Sequence, residues 1–144
     1  MIVTIMIEQP AKRQGLAALQ KRLQQTGDNL AIRLKGIKDS KENRDKLRHI
    51  IAIEKWGQRR LKVVLGEVLI EDENHTYKPV EETSWEDLKS LYSITRLETK
   101  DLARRLNNSD ITQKVPHNQL GPLSVLGWLR YLNTHAFIES KRIR

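Results

Sequence analysis

Apolar residues spaced three, four or seven positions apart recur through most of this chain, and this spacing is its strongest structural constraint. Residues at these intervals lie on one side of an α-helix, so the pattern predicts amphipathic helices that pack together. The first run predicts a helix from Ala11 to about Ile37. Thr26, Gly27 and Asp28 interrupt this run without changing its register, which favours one continuous helix. Its apolar positions are Leu16, Leu19, Leu23, Leu30, Leu34 and Ile37.

A second run predicts a helix from about Asp45 to Leu69, after a short polar connection that would make the first two helices neighbours. Its apolar face comprises Leu47, Ile50, Ile51, Leu61, Val64, Leu65 and Val68. At about 100° per residue, Glu54 falls near the middle of this face and His49 at its edge. A carboxylate in a core position needs a partner, because an unpaired buried charge is very costly. The candidate partners are a metal ion, Arg33, Arg48 and Arg59.

A third helix is predicted from a capping pattern. Ser84 precedes Asp87 by three residues, a spacing at which a hydroxyl and an acid cap the free backbone amides of a first turn. The helix extends to about Leu106, and Arg96 is expected on its solvated side, away from the apolar stripe. The polar residues 107–110 end it.

A fourth helix is predicted from Gly121 to Arg144, with Pro122 tolerated in its first turn. No segment predicts a β-strand. Because each helix has one apolar stripe to cover, the sequence predicts an all-α, four-helix bundle. The two longer connections, residues 70–83 and 107–121, leave the order of the helices open.

Length and composition limit the class of protein. A chain of 144 residues fits a single domain, residues 1–144. The absence of cysteine excludes disulfides and thiolate ligands, so any metal must be held by His, Asp, Glu or water. The apolar residues 1–7 are too short for a signal peptide or a membrane span. We therefore expect a cytoplasmic protein with no membrane association.

The positive charge is concentrated in the first half of the chain. The net charge is +8, and residues 1–62 hold 15 Lys and Arg against 6 Asp and Glu. Arg48, Lys55, Arg59 and Lys62 are expected on the outer face of the second helix, in position to contact phosphates. These charges alternate with polar residues and few aromatic ones, so a solvated face is the simpler interpretation and nucleic-acid binding the less favoured alternative.

His135 and Glu139 are spaced four residues apart on the fourth helix, so both leave the same side of it. An imidazole and a carboxylate one turn apart suit two neighbouring positions of a metal ion, with a third ligand from a facing helix. The same spacing suits an ordinary ion pair, either between these two residues or between Glu139 and Arg142. The chain has no glycine-rich phosphate loop, G-x-S-x-G or H-E-x-x-H motif, which removes other common chemistries.

Three segments together carry a resemblance to a known family: Leu47–Trp56, Trp85 at the start of the third helix, and Gly121–His135. Their order and spacing resemble the DinB/YfiT-like superfamily, from about residue 10 to the end of the chain. The resemblance implies a four-helix bundle with a crossover connection, commonly a homodimer. It also implies a divalent metal, usually nickel or zinc, held by one histidine of the second helix and an H-x-x-x-H pair of the fourth. Relatives include metal-dependent hydrolases and transferases that use a low-molecular-weight thiol.

Carried over to this chain, the resemblance makes His49 and His135 metal ligands and places Glu139 where the family has its last histidine. A set of two histidines and one carboxylate favours harder metals such as manganese or iron. The resemblance thus implies a metalloenzyme of unknown substrate. It identifies no general base, and Glu54, the carboxylate on the apolar face of the second helix, is the residue to examine for that role. The alternative is a metal-free bundle that acts as a dimerising or binding module.

Overall fold

Helices dominate the computed structural model, which describes residues 2–144. The four helices of this region are α1 (Gln9–Leu34), α2 (Lys41–Leu61), α3 (Trp85–Arg105) and α4 (Val125–Ser140). A π-helical turn, Thr4–Glu8, leads into α1. The expected architecture of four helices in a mostly α-helical chain is confirmed. No helix in the described part of the chain is long and apolar enough to cross a lipid bilayer.

Serine hydroxyls cap the N-termini of three of the helices. The side chains of Ser40, Ser84 and Ser124 each accept a hydrogen bond from the backbone N–H three residues later, at 3.1, 3.1 and 3.0 Å. Such caps satisfy amides that have no partner within the helix. The predicted cap at Ser84 is therefore confirmed, and α2 begins at Lys41 instead of Asp45 because Ser40 caps it.

A β-hairpin precedes α4, so the predictions of no strand and of a helix starting at Gly121 are wrong. Strand β1 (Lys114–His117) pairs antiparallel with β2 (Gly121–Ser124), and Pro116 faces Pro122 across the hairpin. Proline donates no backbone hydrogen bond, so paired prolines remove the usual sequence signature of a strand. Gly121 has a φ of 78°, a conformation that glycine adopts without a steric penalty.

Helix α2 ends at Leu61 and not at Leu69 as predicted. A short 3₁₀ turn, Lys62–Leu65, follows it and ends at Gly66, whose φ of 101° is left-handed. Val68, expected in the apolar face, is instead 78% exposed. The sequence pattern continued past this point because apolar residues fill the 3₁₀ turn as well.

The segment after Gly66 crosses over the outer face of α2 and is anchored there by hydrogen bonds. The backbone carbonyl of Asp72 accepts from Trp56 Nε1 at 3.1 Å and from Arg60 Nη2 at 2.9 Å. Arg48 Nε donates to the carbonyl of Pro79 at 2.8 Å. Arg48 is thereby half-buried, and the expected solvated basic stripe on this face is partly covered.

The helices α1 and α2 lie diagonally across the bundle. Each packs against both α3 and α4, and the contact between α1 and α2 is slight. The expectation that their short connection makes them neighbours is wrong, because a short link requires only that two helix ends lie close. It does not determine which helix faces meet.

The core consists of two apolar clusters separated by a layer of buried polar side chains. One cluster includes Leu19, Leu23, Trp56, Leu102, Trp128 and Leu129. The other includes Leu30, Leu34, Leu47, Ile50, Leu88, Tyr92 and Ala136. Each of the four helices passes from one cluster to the other at a similar height along the bundle. At this height α2 carries the buried Glu54 and α3 the buried Arg96.

The first helix is kinked at Gly15 and not at Gly27. Gly15 has φ 77° and ψ 169°, outside the helical region, so residues 2–14 form a separate helical segment, here called the N-terminal segment. The carboxylate of Glu8 accepts hydrogen bonds from Ser124 N at 2.9 Å and Ser124 Oγ at 2.7 Å. The N-terminal segment is thus attached to the start of α4, where a negative charge is favoured.

Candidate metal site and neighbouring pocket

Two imidazoles meet between α2 and α4. Nε2 of His49 lies 3.2 Å from Nε2 of His135, and the ring centroids are 5.0 Å apart. Both side chains are half-buried. One nitrogen of such a pair donates and the other accepts, so one ring carries its proton on Nε2 and the other on Nδ1. The two residues that the sequence singled out on different helices are therefore adjacent.

Burial favours the neutral form of both imidazoles. It lowers the pKa of His135 to about 4, and the charges of His49 and His117 act in the same direction. Burial also lowers the pKa of His49, although the nearby carboxylate of Glu139 opposes this effect. A neutral imidazole keeps the lone pair that a metal ligand needs.

The separation of the two Nε2 atoms fits one metal ion. Nitrogen ligands bound at about 2.0–2.1 Å in octahedral or tetrahedral geometry stand roughly 2.9–3.4 Å apart. The observed 3.2 Å lies within this interval. The donor set also fits, because imidazole suits zinc, nickel and iron.

Glu139 does not complete a ligand set in this conformation. Its Oε2 lies 3.7 Å from Nη1 of Arg142, as in the alternative ion-pair interpretation of the helix. Within residues 2–144, no three His, Asp or Glu side chains come close enough together to hold a metal ion. The imidazole pair thus fits two ligand positions, and the carboxylate would have to leave Arg142 to supply a third.

Next to the pair, His117 in the hairpin has a fixed tautomer. Its Nδ1 accepts hydrogen bonds from the backbone amides of Gln119 and Leu120, both at 3.1 Å, so its proton is on Nε2. Burial, together with the charge of Arg60, lowers its pKa to about 4. The Nε2 atom is buried and has no hydrogen-bond partner among residues 2–144. Binding a metal through Nε2 would require this proton to move to Nδ1, where the two backbone amides already donate, so His117 is not a metal ligand in this conformation.

Tyr131 links His117 to the imidazole pair. Its ring centroid lies 4.6 Å from that of His117 and 6.0 Å from that of His135. Burial and the charge of Glu139 raise the pKa of Tyr131 to about 12, so the phenol remains a hydrogen-bond donor at neutral pH. Spacing did not reveal this residue, because tyrosine one turn before a histidine is also an ordinary helix-packing pattern.

A pocket of about 380 Å³ lies beside His135, between the N-terminal segment and α4. Most of its lining is apolar, and the polar part consists of Arg130, Thr134, His135 and Glu139. Its apolar lining comprises Ile2, Val3, Met6, Ile7, Leu120, Tyr131 and Ile138. The pocket brings one imidazole of the pair into contact with a space of the size that small molecules occupy.

Glu54 lies away from this pocket, in the polar layer of the core. Its Oε1 and Oε2 accept from Arg96 Nε at 2.5 Å and Nη2 at 3.1 Å. Arg96 Nη1 also donates to the carbonyl of Leu23 at 2.9 Å and to Asn133 Oδ1 at 3.2 Å. Glu54 is thus in the core, as predicted, but the role of general base has no geometric support.

The partner of Glu54 differs from the expected ones. Arg96 comes from α3 and is only 3% exposed, so its predicted position on the solvated side is wrong. Gly27 makes room for it: a Cβ there would lie 2.6 Å from Arg96 Cγ. Gly27, which in the sequence appeared to interrupt the first helix, is the point at which the side chain of Arg96 crosses α1.

The second arginine of the expected basic stripe, Arg59, is also engaged within the protein. It donates to the backbone carbonyl of Val68, and its Nη1 lies 3.8 Å from Glu67 Oε1. Its side chain is 18% exposed. The outer face of α2 therefore presents fewer free cations to a phosphate backbone than its sequence suggests.

Comparison of the chain with protein-family models, with curated proteins and with solved structures found no match. The fold and the site by themselves define a four-helix bundle with a pair of half-buried, adjacent histidines, one of which lines a mostly apolar pocket.

Proposed function

We propose that this chain is a DinB-like protein that binds a divalent metal ion through His49 and His135 and acts on a small molecule, as a hydrolase or a thiol-dependent transferase. The observation that carries the proposal is the 3.2 Å separation of the two Nε2 atoms. Helices α2 and α3 both run from the cluster that contains Leu47 and Leu88 to the cluster that contains Trp56 and Leu102, so they are parallel. The long link after α2 therefore has to return along the bundle, which supports the DinB-like assignment.

Bound nickel, zinc, manganese or iron supplies Lewis-acid chemistry, which lowers the pKa of water or of a thiol so that a nucleophile exists at neutral pH. The protein residues do the remaining work. His49 and His135 would hold the ion as neutral imidazoles, each with its proton on Nδ1. The Tyr131 phenol, still protonated at neutral pH, is placed to donate a hydrogen bond to oxygen charge that develops on the substrate. Glu139 lines the same pocket as His135, and on leaving Arg142 it would complete the ligand set or accept a proton.

Metal analysis of protein purified without a histidine tag tests the proposal. We expect about one equivalent of nickel, zinc or manganese, bound or recovered on addition, and loss of this binding in His135→Ala. His75→Ala is the matched control, because His75 is exposed in the crossover segment and should leave the metal content unchanged. Less than a tenth of an equivalent in the wild type, with no recovery on adding metal, would exclude the proposal.

The ion pair between Glu139 and Arg142 favours a second candidate, a metal-free DinB-like bundle that serves as a dimerising or binding module. For this candidate we propose a homodimer, supported by Ile94 and Leu97 of α3, which are 54% and 60% exposed. Light scattering after size-exclusion chromatography should then give twice the chain mass of 16.8 kDa for the wild type. Leu97→Glu should return the monomer, and a monomeric wild type would contradict the dimer.

A further inference from the structure

The pocket beside His135 adjoins a second, larger groove across one row of α4 side chains. Arg130, Thr134 and Ile138 are spaced four residues apart and line both spaces. The groove runs between α1 and α4 and has a volume of about 780 Å³. A molecule bound beside His135 therefore has a continuous path over this row to the groove.

The two spaces have opposite chemistry. The pocket lining is mostly aliphatic or aromatic, and its side chains come from both the N-terminal segment and α4. The groove is basic: Arg22, Arg33, Arg130 and Lys141 line it, and none of its described lining residues is acidic. An apolar group is favoured on one side of the row and a negative charge on the other.

The positions of two groove cations are fixed by neutral partners. Arg33 donates to the backbone carbonyls of Ser140 and Ile143. Arg130 donates through Nη1 to Gln14 Oε1 at 3.0 Å and through Nε to the carbonyl of Met6 at 3.3 Å. Carbonyl and amide oxygens orient these guanidinium groups without neutralising them, so their charge remains available to a ligand.

We propose that the pocket and groove together bind an amphiphilic anion, with its alkyl or aryl part in the pocket and its carboxylate or similar group at Arg130. The inference deepens the proposed function and rests on it only for the reaction that follows binding. Of the described residues that line both spaces, Arg130 is the charged one, and a guanidinium group pairs with a carboxylate in bidentate geometry. An eight-carbon chain is within the range that a pocket of about 380 Å³ accommodates.

Calorimetric titration of metal-free protein with octanoate, hexanoate and 1-octanol tests the inference. Each buried methylene contributes about a fourfold change in affinity, so hexanoate should bind roughly fifteenfold more weakly than octanoate. Octanol lacks the charge and should bind about tenfold more weakly. Arg130→Gln should weaken octanoate by the same factor and leave octanol unchanged, whereas Arg130→Lys, which keeps the charge, should recover part of the affinity.

Two further variants separate this inference from general effects. Arg104→Gln removes the same charge from an exposed position that contacts Asp101, and should bind octanoate like the wild type. His49→Ala removes one imidazole of the pair without changing the pocket lining, so octanoate binding should persist there even if metal binding is lost. Retained octanoate binding with no metal binding in any form would therefore exclude the proposed metal chemistry and leave this inference standing.

Three results would overturn the inference. The first is the absence of saturable octanoate binding to wild-type protein whose folding has been verified by circular dichroism. The second is equal octanoate affinity in the wild type and in folded Arg130→Gln. The third is binding only to anionic phospholipid vesicles and not to monomeric octanoate, which would assign the exposed apolar and basic residues to a lipid surface.

Discussion

Replacing Arg96 with methionine is expected to destabilise the protein by about 3–5 kcal/mol. The guanidinium group makes two hydrogen bonds to Glu54 and further ones to Leu23 and Asn133. Glu54 is 1% exposed, so the substitution would leave a carboxylate in the core without a partner. For a chain of this length the loss corresponds to a fall of roughly 10–15 °C in Tm.

The double variant Glu54→Leu with Arg96→Met separates the interaction from packing. Removing both charges avoids the uncompensated carboxylate, so the free energy of unfolding should return to within about 1–2 kcal/mol of the wild type. Unfolding in guanidinium chloride, followed by circular dichroism, gives the free energy of unfolding of the wild type, of Arg96→Met and of the double variant. Arg104→Met is the control, because its exposed ion pair should contribute little. A single variant as stable as this control, or a double variant no more stable than the single one, would refute the account of the polar layer.

Three further predictions concern the site and its supports. Glu139→His restores the H-x-x-x-H pattern and should raise metal affinity at least tenfold in a zinc titration against a competing chelator; unchanged affinity would contradict the placement of residue 139 as a ligand. Gly127→Ala should cost about 1–3 kcal/mol in chemical unfolding, because a Cβ would overlap Glu8 Oε1 and displace this carboxylate from the start of α4. Gly36→Ala, where a Cβ meets only ordinary contact, is its control, and equal effects would contradict the reasoning. The pKa of His117 in the folded protein, about 4, is below the ordinary histidine value of 6.5, so its contribution to stability is present above pH 6.5 and is lost as the pH falls toward 4. In His117→Gln the slope of unfolding free energy against pH in this window should be smaller by about 1.4 kcal/mol per pH unit, and an unchanged slope would argue against a neutral buried histidine.

The sequence predicted the helices well because their signals are local. Apolar spacing and the serine cap at Ser84 depend on residues within a few turns of each other. The same argument placed Glu54 in the core, since its position on α2 follows from helix geometry alone. The adjacency of His49 and His135, in contrast, came from a family resemblance, because no local pattern determines which faces of two helices meet.

The features that the sequence missed depend on tertiary contacts. Arg96 looked solvated, and it is buried only because Gly27 of another helix leaves space for it. The hairpin before α4 was hidden because Pro116 and Pro122 occupy paired positions. The tautomer of His117 is fixed by backbone amides of the hairpin turn. Because the hairpin was not predicted, the tautomer could not be predicted from the sequence either. To predict each of these features, one would have to know which distant segment of the chain contacts the residue.

In the proposed function, His49 and His135 bind one divalent ion between them. A crystal grown with zinc and measured at the zinc absorption edge tests it directly. We expect a single anomalous peak about 2.0–2.1 Å from Nε2 of both residues, with the contact between the two nitrogens replaced by two metal–ligand bonds. Full zinc occupancy elsewhere on the chain, or no peak between these two nitrogens, would contradict it.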